Sequence, residues 1–102
     1  MDPGQPECDC MIADVVASVA GRDTDDLFYV VGADELYLLL ADGKSRTLEK
    51  PKRKKRKHAR KVLRSETRIA EKLRNGDKVL NSELRRDLAY ISQKLQSNDL
   101  GG

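Results

Sequence analysis

Between Lys50 and Arg64 the chain carries ten lysines and arginines and no acidic residue. No other stretch restricts the fold so sharply. Two like charges ~4 Å apart in water repel by about 1 kcal/mol, so this segment cannot enter a core and needs open water or a counter-charge. As an extended chain it sends Lys52, Lys54, Arg56 and His58 to one side and Arg53, Lys55 and Lys57 to the other. Neither set can be buried in a barrel strand. The segment is therefore expected to project from the folded unit or to run along its rim.

The charge is laid out in blocks. Residues 1–49 sum to −8, residues 50–64 to +10 and residues 65–102 to +1, which returns the net +3 of the 102-residue chain. Such segregation points to a polyanionic partner more than a mean isoelectric point does. A nucleic-acid backbone supplies the counter-charge, and neutralising its phosphates releases condensed counterions. Arginine adds a planar fork for phosphate, lysine a point charge. Lys50, Lys52, Arg53, Lys54, Lys55, Arg56, Lys57, His58, Arg60 and Lys61 are the candidate contacts. The competing function is a protein-interaction adaptor, with the basic segment on an acidic partner surface.

Around this segment the pattern changes twice. Residues 1–10, with Pro3, Gly4 and Pro6, read as a disordered arm. Residues 11–20 read as a strand with Val15, Ala17 and Val19 on one side. A turn-rich connector, Gly21 to Asp26, leads to strands at 27–31 and 36–40. Asp42 and Gly43 are a hairpin signal because both tolerate positive φ, and Ser45 to Leu48 would be a short fourth strand. Short, closely spaced strands with tight turns predict an antiparallel barrel or sandwich.

Beyond the basic segment the period becomes helical. Ser65 can cap a helix that presents Ile69 and Leu73 inward and stops at Asn75-Gly76. Asn81 or Ser82 can cap a second, whose stripe of Leu84, Leu88, Ile91 and Leu95 reads as a packing face, and in the adaptor reading as a partner's grip. The tail, 97–102, is expected to fray.

Several classes find no support. No run approaches the ~20 apolar residues of a membrane span, and residues 1–10 lack the basic-then-apolar order of a secretory leader. The chain is read as cytoplasmic, with Cys8 and Cys10 as thiols of a reducing compartment. Cys8, Cys10 and His58 fall short of a four-ligand zinc site, and Asp23, Asp25 and Asp26 lack the spacing of a calcium loop. No nucleophile, base and oxyanion donor come together, so the chain is not expected to be an enzyme or to bind a cofactor, metal or small-molecule substrate.

One string carries a resemblance. Val15-Val16-Ala17-Ser18-Val19-Ala20-Gly21-Arg22-Asp23 is followed by Phe28-Tyr29-Val30-Val31-Gly32, Leu38-Leu39-Leu40-Ala41-Asp42-Gly43-Lys44 and Arg46-Thr47-Leu48-Glu49-Lys50-Pro51-Lys52. This resembles the bacterial KOW-domain RNA-binding proteins, themselves similar to a group of archaeal and eukaryotic large-subunit ribosomal proteins. The match runs from about Ile12 to His58 and echoes in Ala70-Glu71-Lys72-Leu73 and Asn81-Ser82-Glu83-Leu84-Arg85. The resemblance implies an SH3-like barrel, ribosomal RNA as ligand, ribosomal proteins as neighbours and no cofactor. Gly21, Arg22 and Asp23 would form the KOW loop, and Lys44, Arg46 and the basic segment would face RNA. The chain departs from the family in its acidic loop, where Thr24, Asp25 and Asp26 stand for a basic residue, a glycine and a basic residue. It departs again at Arg56 and Ala59, where the family has the apolar residues of a closing strand, and in its acidic arm.

The expected architecture is thus α+β. A small SH3-like antiparallel barrel spans 11–49, the basic segment spans 50–64, with or without a closing strand, and a two-helix appendage spans 65–96.

Overall fold

The computed structural model describes residues 10–18 and 26–101. Its sheet is built from strands β1 (Asp14–Ser18), β2 (Leu27–Ala33), β3 (Tyr37–Ala41), β4 (Lys52–Lys55) and β5 (Ala59–Arg64). Two helices follow, α1 (Arg68–Asn75) and α2 (Asn81–Gly101). The five strands form one antiparallel sheet in the order β4-β3-β2-β1-β5. The class is α+β, as the change of period predicts.

β4 and β5 lie on opposite edges yet are neighbours in sequence. Laid flat, five strands would hold their outer pair roughly 19 Å apart, at about 4.8 Å per spacing. Only a 3-10 turn, Arg56–His58, joins them, and such a turn rises only ~2 Å per residue. The sheet must therefore curl until its edges converge at this turn. Two irregularities in register, at Val15/Val16 against β5 and at Val30/Gly32 against β3, add twist where it is needed. The outer strands do not hydrogen-bond to each other, so the sheet is curled but not closed.

The curl explains why both faces of β1 and β2 are apolar. On its concave side Val16, Phe28, Val30, Leu38 and Leu40 pack with Cys10 and Ala59. On the convex side Val15, Tyr29 and Ala41 meet Ala70 of α1 and Leu84, Leu88 and Ile91 of α2. The α2 stripe is thus a packing face, and its buried residues are not on offer to a partner. At about 25 cal/mol per Å² of apolar area removed from water, each such leucine stabilises the fold by roughly 1.5–3 kcal/mol.

Helix ends show where tertiary bonds displaced local ones. Thr67, not Ser65, caps α1, its Oγ1 accepting from the Ala70 amide at 3.2 Å. Ser65 is buried and hydrogen-bonded to the Tyr29 hydroxyl at 2.7 Å instead. Gly76 ends α1 as expected, in the left-handed region at φ 77°, with the Asp77 amide returning to the Lys72 carbonyl at 2.9 Å. Neither Asn81 nor Ser82 caps α2. The Glu83 carboxylate reaches back to the Leu80 amide at 3.1 Å, while Asn81 Oδ1 accepts from the Leu48 amide at 2.8 Å and its Nδ2 donates to Glu49 at 2.9 Å. Asn81 therefore ties the β3–β4 connection to α2.

That connection corrects the expected fourth strand. Asp42 Oδ1 accepts from the Lys44 and Arg46 amides, each at 2.9 Å, and this folds Ser45 to Leu48 into an irregular loop. Gly43 has φ 83°, and a Cβ there would lie 2.3 Å from the Asn81 carbonyl oxygen. Close approach to α2, as much as the turn itself, requires glycine at this position.

Candidate nucleic-acid interface

The basic segment does not project. Its first half is β4, paired along its length with β3 in the register Tyr37↔Lys55, Leu38↔Lys54, Leu39↔Arg53 and Leu40↔Lys52. Its second half is β5, paired with β1. It runs instead along the two edges of the sheet, the other course expected of it, because strand pairing uses the backbone and asks nothing of the side chains. The alternation itself holds in β4: Lys52 and Lys54 are half-buried beside Leu40 and Leu38, whereas Arg53 and Lys55 are exposed. Long lysine stems can lie on apolar surface and keep their ammonium groups wet. Charged outer strands also keep sheet edges from pairing with other chains.

The cations then divide by environment. Lys61 lies 3.3 Å from the Asp14 carboxylate, with side chains 41% and 3% exposed. Asp14 also accepts from the Met11 amide at 2.8 Å, so its buried charge is met on two sides. Ala13, buried at φ 74°, sets the tight turn that makes this possible. Arg56 is a strut: its Nε donates to the Asp34 carbonyl at 2.8 Å and its guanidinium to the Cys10 carbonyl at 3.0 Å. By contrast, none of Arg53, Lys55, Lys57 and Arg60 is within ion-pair distance of a carboxylate among the described residues, and all four are exposed.

Lys44 and Arg46 are exposed on the Asp42-anchored loop, and Lys50 is exposed just before β4. The turn holding Lys57 and half-buried His58 lies at the far end of β4. A phosphate backbone running along β4 would meet one group and then the other. Gly21, Arg22 and Asp23, the expected KOW loop, lie outside the described residues, as does Cys8. Cys10 is disulfide-bonded, which overturns the expectation of a free thiol there.

Sequence reasoning missed Tyr37. The Arg53 guanidinium lies over its ring, 3.9 Å from the centroid. The signal was present in the alternation Leu38 and Leu40 inward, Tyr37 and Leu39 outward, but the register sets Lys55 opposite Tyr37, and only the side-chain geometry shows that the diagonal Arg53 meets the ring. Two hollows flank it. One, of about 150 Å³, is lined by Ala33, Asp34, Tyr37, Leu39 and Arg53. The other, of about 220 Å³, is lined by Leu36, Tyr37, Lys55, Arg56 and Lys57. Two backbone amides, of Tyr37 and Leu36, and then Arg53 and Arg56, hold the Asp34 carboxyl below the usual carboxylate range.

A second polar cluster lies on the convex side. The Tyr29 hydroxyl donates to the Asp87 carboxylate and bonds Ser65, while Thr67 Oγ1 donates to the same Asp87 oxygen at 2.8 Å. Burial, and then the Asp87 bond, raise the Tyr29 hydroxyl to about 12. Every member serves another, which is the mark of a structural lock joining β2, the end of β5, α1 and α2. Among the described residues no group of His, Cys, Asp and Glu could hold a metal ion, and no helix is long and apolar enough to cross a membrane.

Neither family models nor curated proteins give a match to this chain. The fold and the exposed cations define it as a small α+β protein with a cationic sheet edge.

Proposed function

We propose that this chain is a KOW-type RNA-binding protein, acting at the ribosome or in translation, with ribosomal RNA as ligand and ribosomal proteins as neighbours. It carries out no catalysis and needs no cofactor. In this reading the curled sheet is an SH3-like barrel whose last seam lies between β4 and β5; their convergence on the turn Arg56–His58 supports it. The observation that carries the proposal is the row of exposed cations on the outer strands and the turn between them, Arg53, Lys55, Lys57 and Arg60, none within ion-pair distance of a carboxylate among the described residues. Lys44, Arg46 and Lys50 continue the row on the loop. Phosphate contacts would dominate binding, and RNA shape would matter more than sequence.

The test is the salt dependence of binding to ribosomal RNA fragments. Log K is expected to fall linearly with log salt. The triple variant Arg53→Ala, Lys55→Ala, Lys57→Ala is expected to flatten the slope by about 0.7–0.9 for each phosphate that is no longer neutralised. A slope untouched by the triple variant sinks the proposal.

A further inference from the structure

We infer that the outward face of β3 and β4 holds one unstacked nucleobase of the bound RNA, seated on the Tyr37–Arg53 stack. The inference rests on the RNA-binding proposal and adds to it a contact made by aromatic and apolar surface rather than by charge.

Phosphate binding alone requires no ring and no exposed leucine. Yet Leu36 is 64% exposed and Leu39 38% exposed, on either side of Tyr37 and next to the most cationic strand. Lone exposed apolar residues are ordinary. Here two of them line hollows that share the same tyrosine ring. The ring also orders its neighbour. An arginine free in water samples many rotamers, whereas Arg53 resting on the electron-rich face of Tyr37 is held ready. Arginine planes and aromatic rings are the surfaces on which unpaired RNA bases stack.

The surroundings match the rest of a nucleotide. Lys55 and Lys57 border the larger hollow, where the phosphates of a base turned into the site would lie. Asp34 borders the smaller one with an ionised carboxylate, an acceptor suited to the amino group of cytosine. A base inside a duplex is covered on both faces, so the site selects a bulged or looped nucleotide.

The chain has no tryptophan, so Tyr37→Trp adds a single reporter at the site. Two probes suffice: an RNA hairpin with one bulged cytosine and its fully paired counterpart. Saturation with the bulged hairpin is expected to quench the reporter, and saturation with the paired one to leave it unchanged. Tyr37→Leu alters no charge. It is expected to lose roughly tenfold in preference for the bulged hairpin while keeping the salt slope, and Tyr37→Phe to retain the preference. An unquenched reporter together with an undiminished preference in Tyr37→Leu overturns the stacking site and leaves the RNA-binding proposal intact. If Tyr37→Leu does not fold, the reporter decides alone. Failure of the wild-type protein to bind either hairpin overturns both.

Discussion

β4 and β5 are consecutive, both basic and both at a sheet edge, yet the fold treats them differently. β5 is welded in: Lys61 meets a buried carboxylate, Val62 and Leu63 pack against the convex core, and the strand runs directly into Ser65 and Thr67 of the Tyr29–Asp87 lock. β4 is held to β3 by its backbone pairing and, on the outward side, by the Arg53–Tyr37 stack, where Arg53 and Lys55 remain exposed. Positive charge in sequence therefore does not by itself mean availability. Lys61 of β5 and Arg56 of the turn are committed to the fold, whereas Arg53 and Lys55 of β4, with Lys57 and Arg60, are on display.

The contrast can be broken first at the lock. Because Tyr29 is raised from its ordinary 10 to about 12, the folded state holds a proton that the unfolded state has released between those values. Its contribution is whole below pH 10 and is lost as pH climbs toward 12, a decline of roughly 2–3 kcal/mol at 1.36 kcal/mol per unit. Urea denaturation of wild type and Tyr29→Phe across this window should show the variant less stable at neutral pH, with the gap narrowing in alkali. A constant gap would mean that the Tyr29 proton does not govern the alkaline decline.

The comparison is sharpened by two lysines. Lys61→Ala leaves buried Asp14 with the Met11 amide but no counter-charge and is expected to lower stability by about 1–2 kcal/mol, discounted from a fully buried pair because Lys61 is partly wet. Lys55→Ala on β4 should fall within about 0.5 kcal/mol of wild type while weakening RNA binding. Thermal melts and binding isotherms on the same samples separate the two; equal losses of stability would erase the distinction. The smallest effect is expected at the end of β5, where Arg64 and Glu66 pair at 3.2 Å with both side chains exposed. Glu66→Ala should change stability by less than about 0.5 kcal/mol, and a larger loss would show that the weld extends past β5 into the surface.

Much of this fold is legible from side-chain pattern. The apolar runs at 27–31 and 36–40 are β2 and β3, Gly76 ends α1, and Leu84, Leu88 and Ile91 are inside. Each depends on burial or on a local φ preference, which residue types record directly. The misses share a different cause. β4 leaves no trace in the pattern because lysines and arginines give no burial signal, although backbone pairing needs none. Ser45 to Leu48 follow a hairpin signal at Asp42 and Gly43, and the Asp42 side chain that folds them into a loop competes with sheet pairing only through specific hydrogen bonds. Capping is the local use of side chains such as Ser65 and Asn81; both are drawn off by partners at Tyr29 and Leu48 far along the chain.

The sequence by itself determined that a dense cationic block sits between a β unit and a helical unit, because charge and periodicity are properties of neighbouring residues. Tertiary structure alone decided which of those cations are committed to Asp14 and to backbone carbonyls, and which stand beside Tyr37. Those outcomes depend on strand register, and register is set by how the whole sheet curls around two apolar faces, which no segment of the chain specifies alone.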